Sequence, residues 1–181
     1  MTEAGDNVGY CLFDEKVLKK AVPELGFKQF HNLCFELIDA RNYGGGKNLT
    51  SALRYALSTL SENSVVIIIS DFIGLEKDWH KYLKVAGYKF DLIGIMVRDP
   101  IDEEMPADGG QLVAESPFSE HQLVVVPDEV KKRYAYESAK VEKEIHETFR
   151  KCNADTMRLK TTEPYVHKIR TYFEKRRQEF I

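Results

Sequence analysis

The chain has 181 residues, 43% of them hydrophobic and 11% aromatic, which suits one domain with a sizeable core. Charged residues make up 30%, but 26 Lys and Arg stand against 29 Asp and Glu. The net charge of −3 speaks against a dedicated nucleic-acid binder, which would need a net basic face to meet phosphates.

The longest apolar run, Val65 to Ile69, is too short to span a bilayer, and Met1 to Asn7 is polar and acidic where a signal segment would be charged and then apolar. These features predict no membrane insertion and a cytoplasmic protein. Cys11, Cys34 and Cys152 are odd in number, far apart and free of any CxxC pair, so neither a zinc knuckle nor a disulfide framework is expected. They read as small buried hydrophobes in a reducing compartment.

In chain order, Val8 to Phe13 is a short run of strand formers, Asp14 and Glu15 supply a turn, and Glu15 to Val22 is the expected hairpin partner, ended by Pro23 and Gly26. From Phe27 the period becomes helical, with Phe27, Phe30, Leu33, Cys34, Leu37 and Ile38 on one face. Gly44, Gly45 and Gly46 then open a helix carrying Leu49, Leu53, Ala56, Leu57 and Leu60 on one stripe. Ser64 to Ser70 is nearly all apolar and β-branched, as expected of a central parallel strand covered on both faces, with Asp71 at its C-terminal end.

Lys77 to Ala86 is a predicted helix ended by Gly87, and Asp91 to Val97 a second buried strand. Asp99 to Gly110 is a loop dense in Asp, Glu, Pro and Gly; Gln111 to Ala114 and Gln122 to Val126 suggest an antiparallel ribbon. Residues 128–151, rich in helix formers and alternating charges, predict a long solvent-facing helix. A strand near Thr156 to Thr161 and a helix from about Pro164 finish the domain, with Lys175, Arg176 and Arg177 as a solvated basic helix end. Strands alternating with helices imply βαβ units and a mostly parallel sheet, in one domain over 1–181.

No G-x-S-x-G elbow, Walker A loop or G-x-G-x-x-G fingerprint occurs. A phosphate at the helix start after Gly46 is physically feasible, with free N–H groups and Lys47 facing it, but Lys47 and Thr50 only echo a nucleotide loop. The histidines (His31, His80, His121, His146, His167) include no i,i+3 or i,i+4 pair, so no helical metal pair forms. The acidic run Asp99, Asp102, Glu103, Glu104 and Asp108 lacks the alternating spacing of a calcium loop and reads as a solvated, proline-stiffened loop. Cys11 with His31 would make a nucleophile pair, but Cys11 lies in a strand with apolar alternation, and burial is the expected state. Trp79 and His80 form a contact patch at a helix start.

Four segments in order, GDNVGYCLF (5–13), GGGKNLTSAL (44–53), IIISDFIG (67–74) and IMVRDPIDEEMP (95–106), resemble the prokaryotic von Willebrand factor A-like proteins of domain-of-unknown-function family 58, associated with MoxR-type AAA+ ATPases. The resemblance covers nearly the whole chain. It implies an α/β doubly wound, mostly parallel sheet flanked by helices, with a ligand site at the C-terminal strand ends. In related domains that site holds a divalent cation through an Asp-x-Ser-x-Ser motif, a Thr after the glycine run and an Asp ending the next strand; such oxygen ligands suit Mg²⁺.

Two departures follow. Only four residues precede Gly5, so the first motif and the usual first, central strand have no place, and the chain looks truncated before them. The position of the ligand Thr is Lys47, which leaves Asp71 as the surviving candidate ligand. An ammonium there would neutralise Asp71 and repel a metal, giving a degenerate, metal-free site, with Mg²⁺ admitted only if the missing motif is supplied. The alternative is Lys47 in solvent with Asp71 capping a turn. Within the likeness, Arg98, Asp99, Pro100 and Pro106 look like a structural turn, with Arg98 braced by a carboxylate.

The expectation is therefore a non-enzymatic protein-interaction domain, working with a MoxR-type AAA+ ATPase in protein assembly or cofactor insertion. Its partner-binding residues are Gly45, Gly46, Lys47, Asn48, Ser70, Asp71, Phe72, Arg98 and Asp99, with no catalytic residue and no cofactor. Without the central strand, the VGYCLF and VVIII strands must pair directly, leave a gap or borrow a strand, the last giving a homodimer. The alternative function is a phosphate-handling hydrolase using Asp71 and Lys47.

Overall fold

A computed structural model describes residues 5–103, 112–115, 122–125 and 127–179, with side chains for 5–103 and 130–178. The chain divides into two compact units, one of residues 1–64 and 73–90 and one of residues 65–72 and 91–181.

In the first unit, β1 (Val8–Phe13) and β2 (Val17–Glu24) form an antiparallel hairpin. The turn is held by Asp14, whose carboxylate accepts from the Lys16 N–H at 2.9 Å, as the sequence predicts for an acidic residue at a tight turn. β2 runs through Pro23, where the sequence predicted a break. The register shifts between Val8 and Tyr10, and a Cβ on Gly9 would lie 2.6 Å from the Ala21 oxygen and 2.9 Å from the Pro23 nitrogen. An irregular ribbon with a glycine opposite tolerates the missing donor. α1 (Lys28–Ile38) follows, then a 3₁₀ turn (Ala40–Asn42), α2 (Leu49–Thr59) and α3 (Trp79–Lys89).

Leu49, Leu53, Ala56, Leu83, Ala86 and Phe90 make the buried core where α2 meets α3. The two helices are tied at their ends, since Lys89 Nζ donates to the Leu57 carbonyl at 2.8 Å and the Asn63 N–H to the Lys89 carbonyl at 3.0 Å. α3 does not stop at Gly87; the glycine is buried inside it. The roughly 1 kcal/mol cost of a mid-helix glycine is borne by this burial and by a last turn closed through the Phe90 N–H to the Ala86 carbonyl.

α1 is built the wrong way round for the stripe read from its sequence. Its apolar side faces solvent, with Phe27, Phe30, Cys34, Leu37 and Ile38 exposed, Phe35 at 69% and Ile38 at 78%. The polar side is the one held. Gln29, 4% exposed, donates to the Val22 carbonyl at 3.2 Å and accepts from Asn32, while Glu36 pairs with Lys19 at 3.1 Å.

The second unit contains a parallel sheet in the order β3-β4-β7: β3 (Val65–Ser70), β4 (Asp91–Arg98) and β7 (Asp155–Lys160). Val65 pairs with Asp91 and Ser70 with Met96; Ile93 pairs with Asp155 and Arg98 with Lys160. Also present are α4 (Pro100–Glu103), the antiparallel ribbon β5 (Leu112–Glu115) and β6 (Gln122–Val125), α5 (Pro127–Lys151) and α6 (Tyr165–Glu179).

The two faces of the sheet are covered by different helices. On one, Ile93, Ile95, Met157 and Leu159 pack with Ile169, Tyr172 and Phe173 of α6. On the other, Phe149 of α5 presses on Gly94, where a Cβ would lie 2.5 Å from its ring. This is the α/β sheet with helices on both faces that the sequence predicts. β4 is the strand buried almost throughout, whereas β3, expected to be central, is an edge of the described sheet with Val65 and Ile69 exposed. Among the described residues β1 is hydrogen-bonded to β2, and β3 to β4.

Three further expectations need correction. α5 is not solvent-facing all round, because Ile145 and Phe149 are buried. Arg176 is not a solvated helix end; it pairs with Asp91 at 2.6 Å and Asp155 at 3.2 Å, clamping α6 to the first residues of β4 and β7. Cys34 is exposed, while Cys152 is buried and Cys11 half-buried.

Candidate functional site

The glycine loop belongs to the first unit. Gly44 and Gly45 have φ of +95° and +104°, the left-handed region that disfavours a Cβ. Gly45 would place a Cβ 3.2 Å from the Asp14 carboxylate and Gly46 one 2.9 Å from Glu15, so the loop lies close on the hairpin turn. The Asn48 N–H donates to the Asp14 carbonyl at 2.7 Å, and Asn48 Oδ1 caps α2 by accepting from the Ser51 N–H at 3.0 Å. Lys47 is half-buried between these anchors.

The start of α2 is not open to a phosphate. The carboxylate of Glu76 accepts from the Leu49 N–H at 3.2 Å and the Thr50 N–H at 2.6 Å, taking the place an anion would occupy. Sequence reasoning missed Glu76, which lies 26 residues away and carries no local signal. Thr50 Oγ1 is buried without a hydrogen-bond partner among the described residues.

In the second unit, Ser70, Asp71 and Phe72 stand at the C-terminal end of β3, and Arg98 and Asp99 at that of the adjacent β4. The structure thus brings these five predicted residues to one end of one sheet. Phe72 has φ of +54°, a costly conformation for a bulky residue, and is 2% exposed. It is held there by its N–H to Ser70 Oγ at 3.0 Å and by an edge-to-face contact with Phe149 at 5.2 Å.

Arg98 is 2% exposed, and its Nε has no hydrogen-bond partner among the described residues. The carboxylate brace expected for it is not found among them either. Asp99 instead braces the turn itself. Its carboxylate accepts from Thr161 Oγ1 at 2.7 Å and the Ile101 N–H at 3.1 Å, and these bonds hold its pKa below the usual range. Tyr134 donates to the Ile101 carbonyl and Ser138 to the Asp102 carbonyl, fixing α4 against α5.

A cleft of about 820 Å³ runs along α5 beside β7. Within it Arg158 pairs with Glu103 and, at 3.3 Å, with Glu142; Lys160 also pairs with Glu103, at 2.8 Å. His146 Nδ1 meets Thr156 Oγ1 at 2.5 Å. None of these partners was singled out from the sequence as a site residue, since alternating charges on a long helix look the same whether or not a strand lies beside them.

Among the described residues no three His, Cys, Asp or Glu side chains converge to hold a metal ion. Asp71 is the ligand that the family resemblance offers for the implied cation. Glu104, Asp108, Pro106 and His121 lie outside the described residues. Burial pushes the Cys11 thiol up to about 11, with Lys20 pulling the other way, so it is held protonated and unsuited to nucleophilic work.

A family model described as "Protein of unknown function DUF58" matches residues 1–146. The chain belongs to this family. An uncharacterized protein, MAV169 of Mycobacterium avium, is 24% identical over 114 residues, 63% of this chain and 67% of that one. The crystal structure of the conserved hypothetical protein BatB from Bacteroides thetaiotaomicron resembles 94% of this chain and 79% of its own, at 14% identity and a TM-score of 0.53. That likeness is one of fold, and it agrees with the α/β arrangement of helices over a parallel sheet seen in this DUF58 chain.

Proposed function

We propose that the chain is a non-enzymatic protein-interaction domain. The observation that carries the reading is α1, whose polar side is fastened to the hairpin while Phe27, Phe30, Phe35, Leu37 and Ile38 stand in solvent. Exposed apolar residues are normal singly, but a stripe of them on one helix is a surface awaiting cover. The loop residues Gly45, Gly46, Lys47 and Asn48, and the strand-end residues Ser70, Asp71, Phe72, Arg98 and Asp99, are the further contacts we assign to partners. In this reading binding proceeds without a divalent ion.

The partner we assign is a MoxR-type AAA+ ATPase, acting with this domain in protein assembly or cofactor insertion. No helix among the described residues is long and apolar enough to cross a membrane. The purified chain immobilised on a biosensor and titrated with the MoxR-type ATPase of the same source is the test. Saturable binding that Phe30→Asp weakens at least tenfold is expected; no binding, or equal binding by the variant, would overturn the reading.

A further inference from the structure

The cleft beside α5 follows an open sheet edge. β7 is hydrogen-bonded to β4 on one side and, among the described residues, to no strand on the other. The tight turn at Cys152 and Asn153, with Asn153 at φ +55°, folds β7 back along the helix. From Ala135 to Arg150 the lining positions recur every three or four residues, on the flank next to the buried Ile145 and Phe149. That stretch rises about 22 Å, and the six residues of β7 extend about 20 Å. On the strand side the groove is lined by Ala154, Asp155, Thr156 and Arg158, so helix and edge strand border it together over about 13 Å, the arrangement in which an extended peptide adds itself to a sheet.

The charges indicate what the added strand carries. Glu103 and Glu142 are neutralised by Arg158 and Lys160, and Asp155 by Arg176. Lys143 and Arg150 line the same groove with no ion pair among the described residues, against Glu147 as the remaining carboxylate of the wall. Ala135 and Ala139 leave room for side chains of the incoming strand. We infer that the groove between α5 and β7 binds an extended, carboxylate-bearing peptide as an added β-strand. This surface lies in the second unit, whereas the apolar helix α1 lies in the first, so each assignment can fail while the other holds.

The probe is a synthetic eight-residue peptide of alternating Val and Glu, added to the isotope-labelled full chain and followed by backbone amide shifts. Saturable shifts confined to β7 and to α5 between Ala135 and Arg150 are expected. Methylating alternate peptide nitrogens on the pairing edge, which leaves the side chains intact, should weaken binding at least tenfold. Arg150→Glu, at an exposed position, should weaken it at least threefold and favour the matching Val and Lys peptide. Ala139→Trp, which fills the groove, should abolish it. Equal binding of the N-methylated peptide, shifts elsewhere, or an unchanged charge preference in Arg150→Glu would overturn the proposal. So would β7 shifts that depend on protein concentration without peptide, because a second copy would then occupy the edge.

Discussion

At the scale of single residues, the fold depends on contacts that leave no slack. Gly94 sits in the middle of the central strand with the Phe149 ring where a side chain would be. Gly94→Ala forces that ring aside in a packed core, and overpacking of this kind costs roughly 1–3 kcal/mol. Urea unfolding of the variant should show a lower midpoint with an unchanged slope; an unchanged midpoint would mean that Phe149 is not held against β4. Glu76 is a different case, a carboxylate placed by the tertiary fold on two free amides of a helix start. Asn48, by contrast, caps α2 from the adjoining position, as one of the few residue types whose side chain accepts from a first turn. Local sequence could not mark Glu76, whose role exists only once residues 73–90 have folded back.

At the scale of elements, α1 separates what a sequence pattern encodes from what it leaves open. Periodicity placed Phe27, Phe30, Cys34, Leu37 and Ile38 on one face, and the helix forms as expected. Periodicity does not say which face meets the rest of the chain. The prediction is consequently the reverse of the usual one for an amphipathic helix. Phe35→Ser should change stability by no more than about 0.5 kcal/mol, whereas Gln29→Ala should cost about 1–2 kcal/mol by leaving the Val22 carbonyl without its donor. Denaturant midpoints of the two variants decide it; a greater loss for Phe35→Ser would place the apolar side inside. β3 and β4 make the same point for strands. Both are runs of aliphatic residues, and composition gave both as buried, yet β4 lies between two neighbours and β3 at an edge. Composition records that a strand shuns water, not how many strands flank it.

At the scale of the whole molecule, ion pairs tie the second unit at both ends of its sheet. Arg176 clamps the starts of β4 and β7, and the Glu103 cluster with Arg158, Lys160 and Glu142 joins α4, α5 and β7. Burial alone would raise the Glu103 pKa, but hydrogen bonds from Lys160 and Arg158, with their charges, outweigh it and hold the group below the ordinary 4.5. A carboxylate depressed in the folded state contributes its full stability above its unfolded value and loses it as pH falls through the folded one. Stability should therefore begin to fall below about pH 4.5, and Glu103→Gln should flatten part of that decline while lowering stability at neutral pH. Thermal melts between pH 7 and pH 3 measure both. A mostly parallel α/β sheet was legible from alternating strands and helices, whereas the doubly wound form and the strand-end site followed from the family resemblance. The Arg158 cluster was not legible, because each of its ion pairs joins residues 16 to 57 positions apart that meet only across an edge.

The exposed face of α1 carries one more consequence, through Cys34. Cys11 is held protonated by burial and Cys152 is enclosed, so Cys34 is the accessible thiol among the three. It sits within the apolar stripe between Phe30 and Ile38. The domain thereby comes with a native attachment point for an environment-sensitive dye, whose emission colour would report, in real time and without any engineered residue, whether that face is wet or covered.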